Sequence, residues 1–129
     1  NNFIWNDQYK IIMENDFAKG LSVQYLGANG LMDTFSNQGI EHLLLAGVET
    51  SICVYLTALE ALSADLEVTI LTDCISCRRP CDGEWALKKL GATGCHLLPV
   101  ESVFYGILGE ANHSHFRAFT KLVNNRRRS

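Results

Sequence analysis

Apolar residues along this chain occur in two kinds of pattern. HLLLAGV, from His42 to Val48, has no polar alternation, and EVTILT, from Glu67 to Thr72, behaves in the same way. Runs of this kind read as strands covered on both faces. YKIIM, from Tyr9 to Met13, and the stretch from Cys95 to Leu98 are shorter strand candidates. Between the strands the spacing turns helical. Ile52, Tyr55, Leu56, Leu59 and Leu62 predict a helix over Thr50 to Ala64, with Thr50 or Ser51 available as N-cap. Leu21, Tyr25, Leu31 and Phe35 have broadly helical spacing between Gly20 and Gly39, interrupted by Gly27, Asn29 and Gly30. Pro80 to Leu90 reads as a helix opened by proline and stopped by Gly91; Glu101 to Gly109 and His115 to Val123 read as short helices. Strands alternating with helices imply crossover connections and a parallel sheet flanked by helices, so the class is α/β.

Composition narrows the function classes. A chain of 129 residues that is 47% hydrophobic, with two prolines and no low-complexity tract, fits a single domain spanning residues 1–129. Its formal net charge of −3 argues against a nucleic-acid binder, because neutralising phosphates needs a basic face and the basic residues cluster only in the terminal RRRS. No apolar run approaches the roughly 20 residues that span a bilayer, and NNFIWNDQYK lacks the layout of a signal peptide. The expected setting is cytoplasmic, without membrane or nucleic-acid partners. Five cysteines is an odd number without a secretory signal, which favours free thiols in a reducing compartment.

Ligands of open α/β sheets collect at the carboxyl ends of strands, where loops lead into helix N-termini. Cys53 is predicted to stand there, in the first turn of the helix after the His42 strand. Unpaired backbone N–H groups and the helix dipole favour a thiolate at such a position and can hold an oxyanion. A buried structural cysteine is the competing reading. Among the four histidines, His42 and His96 begin strands. Six residues at 3.3 Å each put His42 about 20 Å from the opposite edge, too far to serve Cys53 as a base. His113 and His115 read as solvated or capping residues beside the last helix. Asp73 ends a strand and suits a loop-ordering acceptor. Cys74, Cys77 and Cys81 in CISCRRPC have C-x2-C-x3-C spacing that His96 or Cys95 could complete as a metal site, but a second close C-x2-C pair is missing. Arg78 and Arg79 fit either an anionic substrate or a plain surface loop. No metal and no cofactor is expected.

The segment GIEHLLLAGVETSICVYLTALEALSADLEVTILTDCISCRRP resembles the isochorismatase-like cysteine hydrolases, in which a strand ends in Gly-Val, turns, and meets Cys-Val at the head of a Thr-rich helix. The tail ESVFYGILGEANHSHFRAFTKLV is similar to the branch called isochorismatase domain-containing proteins, and the likeness runs from about Tyr9 to Val123. The resemblance implies a three-layer, Rossmann-like fold and hydrolysis of a small amide or related C–N substrate. It also implies an Asp, Lys and Cys triad with Cys53 as nucleophile, a cis bond between Val48 and Glu49, and an oxyanion hole made by the backbone N–H groups of Glu49 and Cys53. In IIMENDFAKG the alignment places Glu14 at the family's lysine position, with Phe17 matching the family's Phe. Nothing in NNFIWNDQYK matches the strand that carries the family's Asp, so the domain is expected to be N-terminally truncated. Relatives assemble, which implies a homo-oligomer acting on a small-molecule substrate. Two alternatives stand beside the hydrolase: a catalytically impaired family member serving as an interaction or scaffold subunit, and, more distantly, a metal-binding or redox thiol protein.

Overall fold

The computed structural model describes the backbone of residues 9–14, and then residues 35 and 37–126. Four strands run through this part: β1 (Tyr9–Glu14), β2 (His42–Val48), β3 (Glu67–Ser76) and β4 (His96–Leu98). They form one sheet in the order β1-β2-β3-β4, and every neighbouring pair is parallel. A π-helical turn (Thr50–Val54) follows β2 and continues into α1 (Tyr55–Ser63). The remaining helices are α2 (Pro80–Thr93), α3 (Val100–Leu108) and α4 (Phe116–Asn125). The segment from Gly20 to Gly39, expected to be helical with a break, lies mostly outside the described residues.

Strand pleating explains why the Leu run has no polar alternation. Leu43 and Leu45 join Val68 and Ile70 on one face, where Val54, Ala58 and Ala61 of the turn and α1, and Leu90 of α2, cover them. Leu44 and Ala46 point the other way with Leu71, under Val103 and Ile107 of α3. Successive residues of a strand face opposite sides, so a strand inside two helical layers must be apolar throughout. Outside α3 lies α4, held by rings: Phe119 packs edge-on against Tyr105 with centroids 4.8 Å apart, and the Tyr105 hydroxyl is 2.9 Å from Thr120 Oγ1.

Three helix expectations need correction. The face of α1 turned to the sheet is built from small residues, Thr57, Ala58 and Ala61, while Ile52 and Leu56 are 42% and 39% exposed. Large side chains would hold the helix away from the sheet; the alanines allow close approach, and Tyr55, Leu59 and Leu62 fill its flanks. Neither Thr50 nor Ser51 is the N-cap: Glu49 occupies that position with no side-chain cap. Helix α2 passes through Gly91 and ends at Gly94, which takes a left-handed φ of 118°. Gly91 is instead an exposed position within the helix, where an added Cβ would meet only the end of the Leu97 side chain, 3.3 Å from its Cδ1.

Strand β3 also runs further than expected, to Ser76. Its pairing jumps from Leu45↔Ile70 to Gly47↔Ile75, two steps along β2 against five along β3. The excess bulges β3 outward at residues 71–74 and brings its end back beside the end of β2.

Candidate functional site

Strand β2 delivers the chain to the carboxyl edge of the sheet, between β1 and β3. There the Val48–Glu49 peptide is cis, and the chain enters the π-helical turn that contains Cys53. The Glu49 carbonyl closes this turn, accepting the Ile52 N–H at 3.2 Å and the Val54 N–H at 3.0 Å. Cys53 is buried at 8% exposure, next to the fully enclosed Val54. On the other side of Cys53's strand, β1 ends at Glu14, which stands opposite Gly47 in the sheet register. The backbone thus sets residue 14 and the Cys53 turn at the ends of adjacent strands.

The neighbouring β3→α2 connection is tied to this turn residue by residue. Glu49 Oε1 accepts the backbone N–H of Arg78 at 3.0 Å and its Nε–H at 3.1 Å. Thr50 Oγ1 donates to the Ser76 carbonyl at 3.1 Å, and Ser51 Oγ lies 3.2 Å from Cys77 Sγ. Cys77 Sγ is also 4.0 Å from Glu49 Oε2. Three consecutive residues of the turn thus meet three consecutive residues of the loop. Glu49 is buried although acidic, and Arg78 lies mostly in solvent. Sequence reasoning missed this clasp, because its partners are 26 to 29 residues apart. The one available signal was an acid two residues past Gly47 and an arginine two residues past Ser76 in neighbouring strands.

On the outer side of the clasp, Glu49, Ser51, Ile52, Arg78, Arg79, Asp82 and Trp85 line an open cleft of about 450 Å³. Cys53 is not among its lining residues, so the thiol does not open toward this cleft. Cys77 is partly exposed beside it. Burial acts to raise the Cys77 pKa, but hydrogen bonds from the Ser51 side chain and from the backbone N–H groups of Arg79 and Ser51 outweigh burial and Glu49, leaving it below the ordinary thiol value. Cys74 shifts upward through burial and the adjacent Asp73 carboxylate. Cys95 is pushed up to about 11 by burial.

The other candidates fall elsewhere. Asp73 accepts the Val100 N–H at the start of α3 at 2.9 Å and pairs with Arg126 at 2.6 Å, an acceptor that orders the loop. Burial opposes its ionisation, yet those two donors leave its carboxyl below the usual range. His113 Nδ1 accepts the His115 N–H at 3.0 Å, forming the turn into α4. His42 and His96 lie at the amino edge, where Glu67 Oε2 is 3.5 Å from His42 Nδ1 and 3.9 Å from His96 Nε2. All five cysteines are free thiols. His96 pairs with Thr69 near the amino end of β3, whereas Cys74 and Cys77 lie at its carboxyl end, so the cysteine loop and the Cys95–His96 pair stand toward opposite edges of the sheet. Among the described residues no three His, Cys, Asp or Glu side chains are grouped to hold a metal ion. No helix among them is long and apolar enough to cross a membrane.

Comparison with known proteins agrees with this architecture. Residues 23–102 match the family model described as Isochorismatase domain. Isochorismatase domain-containing protein 2 of Bos taurus is 34% identical over an alignment covering 87% of this chain and 63% of the relative. Its counterpart in Danio rerio is 31% identical, covering 87% of this chain and 66% of the relative. The chain thus spans less than two thirds of the length of either. Among solved structures, MAR1 ribonuclease from Caenorhabditis elegans superposes with a TM-score of 0.69 over 80% of this chain and 51% of its own, at 23% identity, a likeness of fold. The pyrazinamidase of Pyrococcus horikoshii in complex with zinc matches at a TM-score of 0.53 and 32% identity, over 54% of this chain and 38% of its own. With the family model spanning both central strands, the Cys53 turn and the cysteine loop, the chain belongs to the isochorismatase domain family.

Proposed function

We propose that this chain carries the nucleophile of a hydrolase acting on a small amide or related C–N bond, with Cys53 as the attacking group. The observation that carries the reading is the placement of Cys53 in the first turn beyond the carboxyl end of β2, an interior strand of a parallel sheet. A thiolate there attacks the carbonyl carbon, and the backbone N–H groups of Glu49 and Cys53 are the proposed donors to the resulting oxyanion. The neighbour bearing the name pyrazinamidase supports the amide class. The proton for the leaving amine does not come from His42 or His96, which stand at the amino edge of the sheet.

One observation favours a second reading. Glu14 ends β1 directly across from Gly47, at the position proposed to correspond to the family's lysine. A glutamate at that position carries the opposite charge to the lysine that the resemblance places there. On that reading the protein is an impaired relative with an interaction role. Turnover of a panel of small aliphatic and heteroaromatic amides by the protein containing this chain separates the two. Ammonia release that drops at least about a thousandfold in Cys53→Ser supports the hydrolase. Release that persists in Cys53→Ser excludes Cys53 as nucleophile, and no release from any amide favours the impaired relative.

A further inference from the structure

Glu49, at the N-cap of the turn, is held at both ends. Its carbonyl closes the turn around Cys53 through the Ile52 and Val54 N–H groups. Its carboxylate, 4% exposed as a residue, is fastened to Arg78 by a backbone and a side-chain donor on the same oxygen. A buried carboxylate is costly unless hydrogen-bonded and paired, so the structure retains it only while the β3→α2 loop stays docked. Thr50 also bridges the two segments, its carbonyl accepting the Tyr55 N–H and its hydroxyl donating to the Ser76 carbonyl, and Ser51 touches Cys77, but these contacts are neutral, and only Glu49 places a buried charge in the clasp.

We propose that Glu49 is a positioning residue for Cys53: its side chain, clamped by Arg78, holds closed the turn that places the thiol at the carboxyl edge of the sheet. The loop from Ser76 to Arg78 is then part of the Cys53 apparatus although it supplies no reacting atom. This rests on the reading of Cys53 as the reacting group, but the turn's geometry can be followed without turnover.

The thiols supply the measurement. Cys53 and Cys95 are both buried, at 8% and 7% exposure, and they belong to opposite edges of the sheet. Alkylation of a buried thiol requires an opening, so each rate reports how often its own surroundings open. Iodoacetamide labelling of the protein at pH 7.5, resolved cysteine by cysteine by peptide mass spectrometry, is compared across wild type, Glu49→Ala, Glu49→Gln and Arg78→Ala. In Glu49→Ala the Cys53 rate should rise about tenfold or more, as expected for losing a charged, buried hydrogen bond, while Cys95 stays within about twofold of wild type. Arg78→Ala should move Cys53 in the same direction by less, because the backbone N–H of residue 78 remains a donor. Glu49→Gln keeps an oxygen acceptor for both donors and should fall between wild type and Glu49→Ala. An unchanged Cys53 rate in Glu49→Ala, equal acceleration of Cys53 and Cys95, or Glu49→Gln matching Glu49→Ala would each overturn the proposal. Because labelling is read without an amide substrate, an intact clasp with no turnover would count against the proposed hydrolase and leave the positioning role standing.

Discussion

His42 stands at the opposite end of β2 from the Cys53 turn, and its chemistry is correspondingly different. Its Nε2 is 2.8 Å from Thr69 Oγ1, and its Nδ1 faces Glu67. Burial holds its pKa below the ordinary imidazole value, the Glu67 carboxylate pulls it up in part, and His96 pushes it down again. The unfolded chain therefore takes up a proton at this site before the folded one does. Stability from neutral His42 is present above about pH 6.5 and is lost as the pH falls through that value toward the lower folded pKa. Urea midpoints should decline from pH 8 to pH 5, and His42→Gln should flatten the decline; an equal slope in the variant would assign the loss to other groups. His42 and His96 were legible as amino-edge residues because strand length alone separates them from Cys53. The partners of Glu49 were not legible. Its bonds to Arg78 depend on the bulge in β3, and no periodicity in DCISCRR announces a bulge.

Among the elements, α2 shows how one residue type serves different purposes along a single helix. Gly83 lies buried in its first half, where a Cβ would come 3.2 Å from Cys77 Cβ, and Gly91 faces the end of the Leu97 side chain. Both should gain about 1 kcal/mol of helix propensity on change to alanine. At Gly91 the neighbour is the tip of a flexible leucine that can shift, so Gly91→Ala should be neutral or stabilising. At Gly83 the obstacle sits one bond from the backbone of the clasped loop, and Gly83→Ala should destabilise by about 1–3 kcal/mol. Comparing the two urea midpoints checks the contrast, and equal shifts would contradict it. The same helix shows where sequence reading stopped short. Glycine signals a helix end when it must adopt positive φ, as Gly94 does, and can signal close packing when it does not, as at Gly83; the residue name is identical. Helix α1 misled in a related way, because spacing identified its long apolar residues while the sheet selected its alanines.

At the scale of the molecule, β2 organises both the fold and the candidate site. Its Leu run is buried on both faces, so a sheet covered by helices on both sides could be read from hydrophobicity alone, whereas the order of strands could not. The same burial makes the strand a rigid support for whatever follows its carboxyl end, which is why the position of the Cys53 turn at that edge was legible in the sequence. What lies beside that turn was less legible, since it depends on Glu14 from β1 and on a loop returning from β3, and long-range placement leaves no local pattern. The proposed hydrolase makes a direct demand on this arrangement: an amide substrate must leave its acyl group on Cys53 before water releases it. The decisive measurement is acid-quenched intact-mass and peptide analysis of the protein during turnover of a hydrolysed amide. The account predicts a transient adduct of the acyl mass on the peptide containing Cys53, absent in Cys53→Ser; turnover without any adduct, or with the adduct on Cys77 or another residue, would contradict it.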